Sequence, residues 1–143
     1  MRMILCATTL AALSAFAATA QSTHQPTVPA TAAALPDPAK VYSDNCAACH
    51  QEDGKGIEGA FPALAGNAFA IGPIQPPIHV VLEGRAGMPT FKADLTDAQI
   101  AAALTHIRTS WGNAASPISA EQVARDRKGE APDPSDTKVI SAH

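Results

Sequence analysis

The sequence predicts a small all-α domain of three to five helices, located between residues 37 and 127. Three local signals predict it. Asp37-Pro38 places an N-cap aspartate before a first-turn proline, and Pro77 can open a second helix in the same way. Thr96-Asp97-Ala98-Gln99 is a capping box of the S/T-x-x-E/Q type. Helix starts of this kind, separated by Gly- and Pro-rich loops, favour an all-α fold.

Residues 1–20 have the pattern of an export signal. Arg2 supplies a positive start, an apolar run extends from Ile4 to Ala18, and Ala18-Thr19-Ala20 fits an A-x-A cleavage site. We therefore expect a mature chain that begins at Gln21 and is periplasmic. The run is short and rich in small side chains, whereas a membrane span needs about 20 strongly apolar residues. An uncleaved N-terminal membrane anchor remains the alternative.

Two segments flank the predicted domain. Residues 21–36 are rich in Pro, Ala and Thr without a helical or strand period, which predicts a flexible spacer. Residues 128–143 are charged and contain few bulky side chains, which predicts a disordered tail. Without Arg2 the chain carries 9 basic and 13 acidic residues, a formal charge of −4. We expect no nucleic-acid partner for a chain with this acidic balance.

The first predicted helix runs from Asp37 to about Cys49 and contains most of the motif Cys46-Ala47-Ala48-Cys49-His50. This C-x-x-C-H pattern is associated with covalent attachment of a c-type haem. Thiols three residues apart lie about one helical turn apart, so both can reach the vinyl groups of one haem. The adjacent His50 then offers an imidazole nitrogen to the iron as the proximal ligand.

Two other interpretations of the cysteine pair stay open. A thiol–disulfide redox pair would be expected in a βαβ context, which the sequence does not show. A structural zinc site would need a second pair of Cys or His ligands. The third cysteine, Cys6, lies in the predicted signal, and no two histidines form an H-x₃₋₅-H pair. Haem attachment is therefore the favoured interpretation.

Glycine and proline punctuate residues 51–76 and predict a long loop. Within it, Phe61-Pro62-Ala63-Leu64 supplies apolar groups that can wall a cofactor. A metal-bound histidine usually donates its second ring nitrogen to a backbone carbonyl or carboxylate. Pro62 follows His50 by twelve residues, and its carbonyl is a candidate acceptor.

A second loop surrounds Met88. The short helix that opens at Pro77 has apolar residues at Ile78, Val81 and Leu82, and Gly84 can cap its end. The loop Gly84–Phe91 follows, and Met88 is the chain's sole methionine outside the predicted signal. A thioether can complete an iron already bound by histidine and raises the haem potential. Alternatively, Met88 only fills a gap in the core.

The last two predicted helices begin at capping boxes. After Thr96, apolar residues recur at helical spacing, and Gly112-Asn113 predicts the end; these apolar residues are Ile100, Leu104, Ile107 and Trp111. Trp111 is expected to pack in the core or an interface, and His106 lies off the stripe and is expected to be exposed. A second box, Ser119-Ala120-Glu121-Gln122, predicts a short helix to about Arg127.

Residues 37–127, about two-thirds of the chain, resemble a small class I cytochrome c. The C-A-A-C-H motif follows a short helix, F-P-A-L lies in a Gly/Pro-rich loop, and G-M-P-T-F precedes a C-terminal helix. The resemblance implies helices wrapped around one covalent haem c per chain, with the first helix crossing the last core helix. By position, it implies haem thioethers at Cys46 and Cys49, iron ligands at His50 and Met88, and the Pro62 carbonyl as the partner of His50.

The expected function is single-electron transfer with redox protein partners, either as a free carrier or as a cytochrome subunit of a membrane dehydrogenase or oxidase. Two filled axial positions leave no open site, so we expect no catalytic residues and no small-molecule substrate. The alternative is a haem enzyme or gas-binding sensor in which Met88 is displaced. Lys55, Arg85 and Lys92 are candidates for docking an acidic partner, although acidic residues lie equally close in the sequence.

Overall fold

The computed structural model describes residues 35–131, 133 and 134, and these residues form helices and loops with no β-strand. The all-α prediction is therefore confirmed for the described residues. The helices, in chain order, are α1 (Pro38–Asn45), α2 (Ala47–His50), α3 (Ala68–Ile71), α4 (Gln75–Glu83), α5 (Asp97–Thr109) and α6 (Ala120–Arg127). The predicted signal peptide, most of the spacer and the end of the predicted tail lie outside the described residues.

The structure differs from the sequence prediction at three helices. Helix α4 begins at Gln75, two residues before the predicted start at Pro77, and the other two differences concern short helices. The helix predicted to continue to Cys49 is interrupted at Cys46, whose backbone (φ −120°, ψ −36°) leaves the helical region before α2 begins. The single turn α3 was not predicted. Asn67 caps it by accepting hydrogen bonds from the amides of Phe69 (2.9 Å) and Ala70 (3.3 Å). A four-residue helix is too short to produce a hydrophobic period.

The core lies where α1 packs across α5. Tyr42 of α1 is fully buried, and Val41 beside it is 7% exposed. From α5, the predicted stripe residues Ile100, Leu104 and Ile107 are all buried. The helix itself ends at Thr109, so the stripe's last member, Trp111, lies beyond it with a left-handed φ of 54°. The crossing of the first helix with α5, which the resemblance implied, is present.

Arg108 is a buried cation that the sequence pattern did not indicate. It is 3% exposed, and burial lowers the pKa of its guanidinium. The guanidinium donates to the carbonyls of Ser116 (2.6 Å), Ala70 (2.8 Å) and Gly72 (2.9 Å). These bonds fasten α3 and the segment after α5 to the core, and they compensate the desolvation of the charge.

Helix α6 runs back along α5. Both predicted capping boxes are present, at Thr96 for α5 and Ser119 for α6. Thr105 exchanges hydrogen bonds with the backbone of Ile118, and Val123 of α6 is fully buried. Within the described part of the chain, every helix is too short or too polar to span a bilayer.

Candidate functional site

The two cysteines of the motif lie on one turn of backbone. The carbonyl of Cys46 accepts hydrogen bonds from the amides of Cys49 (3.2 Å) and His50 (3.0 Å). Ala47, between them, is 8% exposed and anchors the turn in the core. Cys46 and Cys49 form no disulfide, and both residues are half-buried. This turn can present two sulfurs toward the same side of α2.

His50 has a fixed ring orientation. Its Nδ1 atom lies 2.9 Å from the carbonyl oxygen of Pro62. A carbonyl oxygen only accepts hydrogen bonds, so Nδ1 carries the proton in this contact and Nε2 keeps the free lone pair. The loop closes back here because the Gly56 amide also donates to the His50 carbonyl at 2.9 Å. A Cβ at Gly56 would overlap the backbone of Phe61 and Pro62, so this approach requires glycine.

Large apolar side chains lie exposed on the chain that follows the motif. Ile57, Phe61 and Phe69 are 45%, 38% and 44% exposed. Residues 57–63 and Lys55 line an open depression of about 400 Å³. Exposed apolar side chains concentrated in one segment mark a contact surface. Neither cysteine nor His50 lines the depression, so the fit to a large apolar cofactor rests on the donor set: two thiols and an imidazole on one turn, followed in the chain by an exposed apolar segment.

The Met88 loop is a tight turn with a fixed base. Arg85 and Met88 exchange backbone hydrogen bonds of 3.2 and 3.0 Å, and Met88 is half-buried. At the base, the Phe91 amide donates to the Val81 carbonyl (3.0 Å), and the Thr90 hydroxyl donates to the Leu82 carbonyl. The guanidinium of Arg85 lies over the Phe69 ring, 5.3 Å from its centroid. That stacking connects the Met88 turn to α3 and thus to the segment that follows the motif.

The surroundings of the thiols argue against the two alternative interpretations of the cysteine pair, a thiol–disulfide redox pair and a structural zinc site. Burial, and to a lesser extent the nearby Cys49 thiol, raise the pKa of Cys46 to about 11. Reactive dithiols instead have a lowered thiol pKa. For zinc, the described residues contain no group of three or more Cys, His, Asp or Glu side chains that could hold a metal ion.

An aromatic cluster supports the motif from behind, and sequence reasoning missed it. The rings of Tyr42, His106 and Trp111 lie 5.0 to 5.2 Å apart. Tyr42 donates its hydroxyl proton to the Gln51 carbonyl (2.7 Å), and Trp111 donates its indole N–H to the Glu52 carbonyl (3.1 Å). These bonds fix the backbone immediately after His50.

The expectation that His106 is exposed was wrong. The side chain is half-buried, and burial lowers its pKa. The reason is the left-handed backbone of Trp111, which turns the indole back over the end of α5 so that it covers the imidazole. The sequence also gives no sign that Gly54 packs against Trp111. A Cβ at position 54 would overlap the indole ring.

The three candidate docking cations differ in their partners. Lys55 pairs with Asp53 (2.9 Å), and Lys92 pairs with Glu83 (2.6 Å). Arg85 is exposed and stacks on Phe69 without an ion pair in the described part of the chain. Positive charge beside the Met88 turn is therefore available at Arg85 and largely compensated at the two lysines.

Comparison with known proteins finds one matching family and several relatives, all of them cytochromes. The family described as "Cytochrome C oxidase, cbb3-type, subunit III" matches residues 33–107, about half of the chain. Cytochrome c-552 of Thermus thermophilus is 40% identical over 116 residues, an alignment that covers 67% of this chain and 78% of that protein.

Two longer relatives are subunits of dehydrogenases. The cytochrome c subunit of the quinone alcohol dehydrogenase of Gluconobacter oxydans is 37% identical over 108 residues. The cytochrome c subunit of gluconate 2-dehydrogenase from Pantoea cypripedii is 38% identical over 106 residues. The alignments cover 66% and 64% of this chain but only 22% and 24% of those subunits.

Proposed function

Because the chain belongs to the mono-haem class I cytochrome c family and is an electron-transfer protein with haem c as its cofactor, we propose that Cys46 and Cys49 hold that haem through thioethers and that His50 and Met88 ligate its iron. The fixed geometry of His50 carries this proposal. Once bound, haem c supplies an iron that cycles between the ferrous and ferric states. The residues of the chain fix its position, its axial ligands and its access to water.

On the proximal side, the His50–Pro62 contact supports the assignment. The Pro62 carbonyl oxygen lies 2.9 Å from Nδ1 and accepts its hydrogen bond, which leaves Nε2 available to an iron. Such a hydrogen bond also increases the basicity of the ligating nitrogen. The bonds from Tyr42 to Gln51 and from Trp111 to Glu52 keep the following backbone in place, so His50 has little freedom to rotate away.

On the distal side, the Met88 turn is the best candidate. Its two backbone hydrogen bonds with Arg85 and its tied base hold the thioether in a defined position without burying it completely. A filled distal position suits an electron carrier because it excludes substrates from the iron and raises the haem potential.

The proposed domain is residues 37–127, preceded by a cleaved signal and a spacer. The export pattern in residues 1–20 supports a periplasmic location. From the dehydrogenase subunits we infer only the kind of partner that this chain has. The chain would exchange electrons with another redox protein, including a membrane dehydrogenase or oxidase complex.

Docking would be centred on Arg85 and Phe69. Arg85 offers a charge without a carboxylate partner among the described residues, beside an exposed aromatic ring and next to the Met88 turn. A fitting partner surface would carry a carboxylate beside an apolar patch. Lys55 and Lys92 would contribute less, because each already pairs with a carboxylate.

The decisive experiment is spectroscopy of the purified, exported protein. Mass spectrometry should show one porphyrin added to a peptide containing Cys46 and Cys49. The ferric protein should show the far-red charge-transfer band of methionine–iron ligation and bind cyanide slowly. Met88→Ala should retain the covalent haem, lose the band and bind cyanide rapidly. Gly87→Ala, in the same exposed turn with open space around its Cα, is the matched control.

Two results would overturn the proposal. Missing porphyrin on the cysteine peptide would remove the cofactor assignment. A wild-type ferric protein that lacks the band and binds cyanide readily would favour a haem enzyme or gas sensor with an open distal position.

A further inference from the structure

The last turn of α6 contacts the segment that follows the Met88 loop and the helix that precedes it. The loop, residues 84–91, is entered from α4 and left through residues 92–97. Two neighbouring residues of α6 make these contacts: Arg127 binds residues 92–97, and Asp126 lies against the first two turns of α4. The match to the cytochrome family ends at residue 107, so α6 lies outside it.

Arg127 makes the larger set of contacts. Its Nε donates to the carboxylate of Asp97 at 2.6 Å, and its two terminal nitrogens donate to the carbonyls of Lys92 and Leu95, the latter at 2.9 Å. The side chain is 23% exposed. A guanidinium is suited to this role because it presents several donors in one rigid plane.

Asp126 contacts the first two turns of α4. Its carboxylate accepts from the Gln75 amide at 3.3 Å and lies 3.5 Å from Nδ1 of His79. Its side chain is 8% exposed. Both partners belong to α4, so the end of α6 is tied to the helix that precedes the loop as well as to the segment that follows it.

The core holds the rest of α6 independently of this turn. Val123 is fully buried, and Thr105 fixes the backbone of Ile118 just before the helix. Bonds made by the last turn therefore transmit the rigidity of the α5–α6 packing to residues 92–97.

We propose that Arg127 is a positioning residue for the distal ligand: by clamping residues 92–97 it limits the opening of the loop and keeps Met88 on the iron. This inference rests on the proposed role of Met88. For Met88 to leave the iron, its loop must move relative to α4 and residues 92–97. Fixing residues 92–97 removes conformations in which the end of the loop is displaced, and it slows the exchange of Met88 for another ligand.

The test uses the ferric holoprotein and measures the rate at which cyanide or imidazole replaces Met88, followed by loss of the far-red band. Arg127→Ala should speed replacement about tenfold, the equivalent of losing one charge-assisted hydrogen bond. Arg127→Lys should give an intermediate rate, because one ammonium can keep the ion pair with Asp97 but cannot reproduce all three bonds.

Val41→Ala separates positioning from general stability. Val41 of α1 is 7% exposed and packs against Ala102 and Ala103, so this variant loses buried methyl groups without touching α6. It should lower the free energy of unfolding without a comparable rise in the replacement rate.

The outcomes are distinguishable. If wild-type protein lacks the far-red band, the assignment of Met88 fails and the clamp has no ligand to position. If the band is present but Met88 is replaced in Arg127→Ala at the wild-type rate, or in Val41→Ala as fast as in Arg127→Ala, the positioning role is wrong while the proposed function stands.

Discussion

The two sides of the proposed iron site are held in different ways. On the His50 side, the thiols and the imidazole lie within five consecutive residues, and the hydrogen-bond partner Pro62 is only twelve residues away. On the Met88 side, the turn itself is local, but the segment after it is tied to α6 by Arg127, which lies 35 residues beyond Lys92. Local sequence places the ligands on the His50 side, and Tyr42 and Trp111 support the backbone that follows them. The position of the Met88 turn depends in addition on a helix that follows it in the chain.

This difference teaches where the site should be sensitive to change. A locally built ligand survives as long as its own turn survives, so perturbing it requires changes in or directly against the motif. A remotely held ligand can be loosened by substitutions that do not touch it. The predictions below test that contrast, beginning with the largest expected effect.

Replacing both Cys46 and Cys49 with Ala should abolish covalent haem attachment and leave a largely unfolded chain. A domain of about 90 residues buries a small hydrophobic core, and only 4% of the residues in this chain are aromatic. Haem would add a large apolar group to that core. Mass and far-ultraviolet circular dichroism measure the two effects. Ala48→Ser, at the exposed position between the cysteines, is the control. Native-like helicity with sharp melting in the double variant would contradict the prediction.

Gly54→Ala should destabilise the His50 side by about 3 kcal/mol, since a new Cβ combines left-handed strain with overlap of a packed ring. Gly54 has φ +66°, and its Cβ would overlap the indole of Trp111. Gly59→Ala is the matched control, because Gly59 has φ +76° but open space around its Cα. Denaturant unfolding of both holoproteins gives the comparison. Equal losses would mean that the Trp111 contact contributes nothing beyond backbone strain.

Thr90→Val should cost about 1 kcal/mol of stability through the lost hydrogen bond to the Leu82 carbonyl, and it should also accelerate replacement of Met88 by cyanide. Thr109→Val loses a comparable hydroxyl bond, to the Thr105 carbonyl (2.8 Å), at the far end of α5. It should therefore leave the replacement rate unchanged. An identical rate in both variants would show that the hydrogen bond at the base of the loop does not help to hold Met88.

His106 should contribute a small pH dependence. Burial lowers its pKa from 6.5 despite the opposing charges of Glu52 and Asp37. The unfolded chain therefore binds the proton first, and stability declines as pH falls from about 6.5 toward the lower pKa of the folded state. His106→Phe should flatten the stability profile in that window. Parallel wild-type and variant profiles, from denaturant unfolding at several pH values, would show that the imidazole is not protected from protonation.

Much of the fold could be predicted from short-range patterns. The capping boxes at Thr96 and Ser119 and the buried stripe of α5 are confirmed, because caps and helical periodicity depend on residues only a few positions apart. The break at Cys46 and the single turn α3 were not predicted, since neither is long enough to leave a period. The burial of His106 depends on the unusual backbone of Trp111, which no spacing rule indicates.

By itself the sequence determined the chemistry of this protein: a C-x-x-C-H turn, a lone methionine in a tight loop outside the predicted export signal and an all-α pattern, all of which depend on neighbours along the chain. Only the tertiary structure decided what surrounds them. The carbonyls that accept from Arg108, the rings that support the backbone after His50 and the segment that Arg127 binds come from distant parts of the chain. Hydrophobic burial of the helices brings those segments together, and the resulting hydrogen bonds then have partners that local sequence does not reveal.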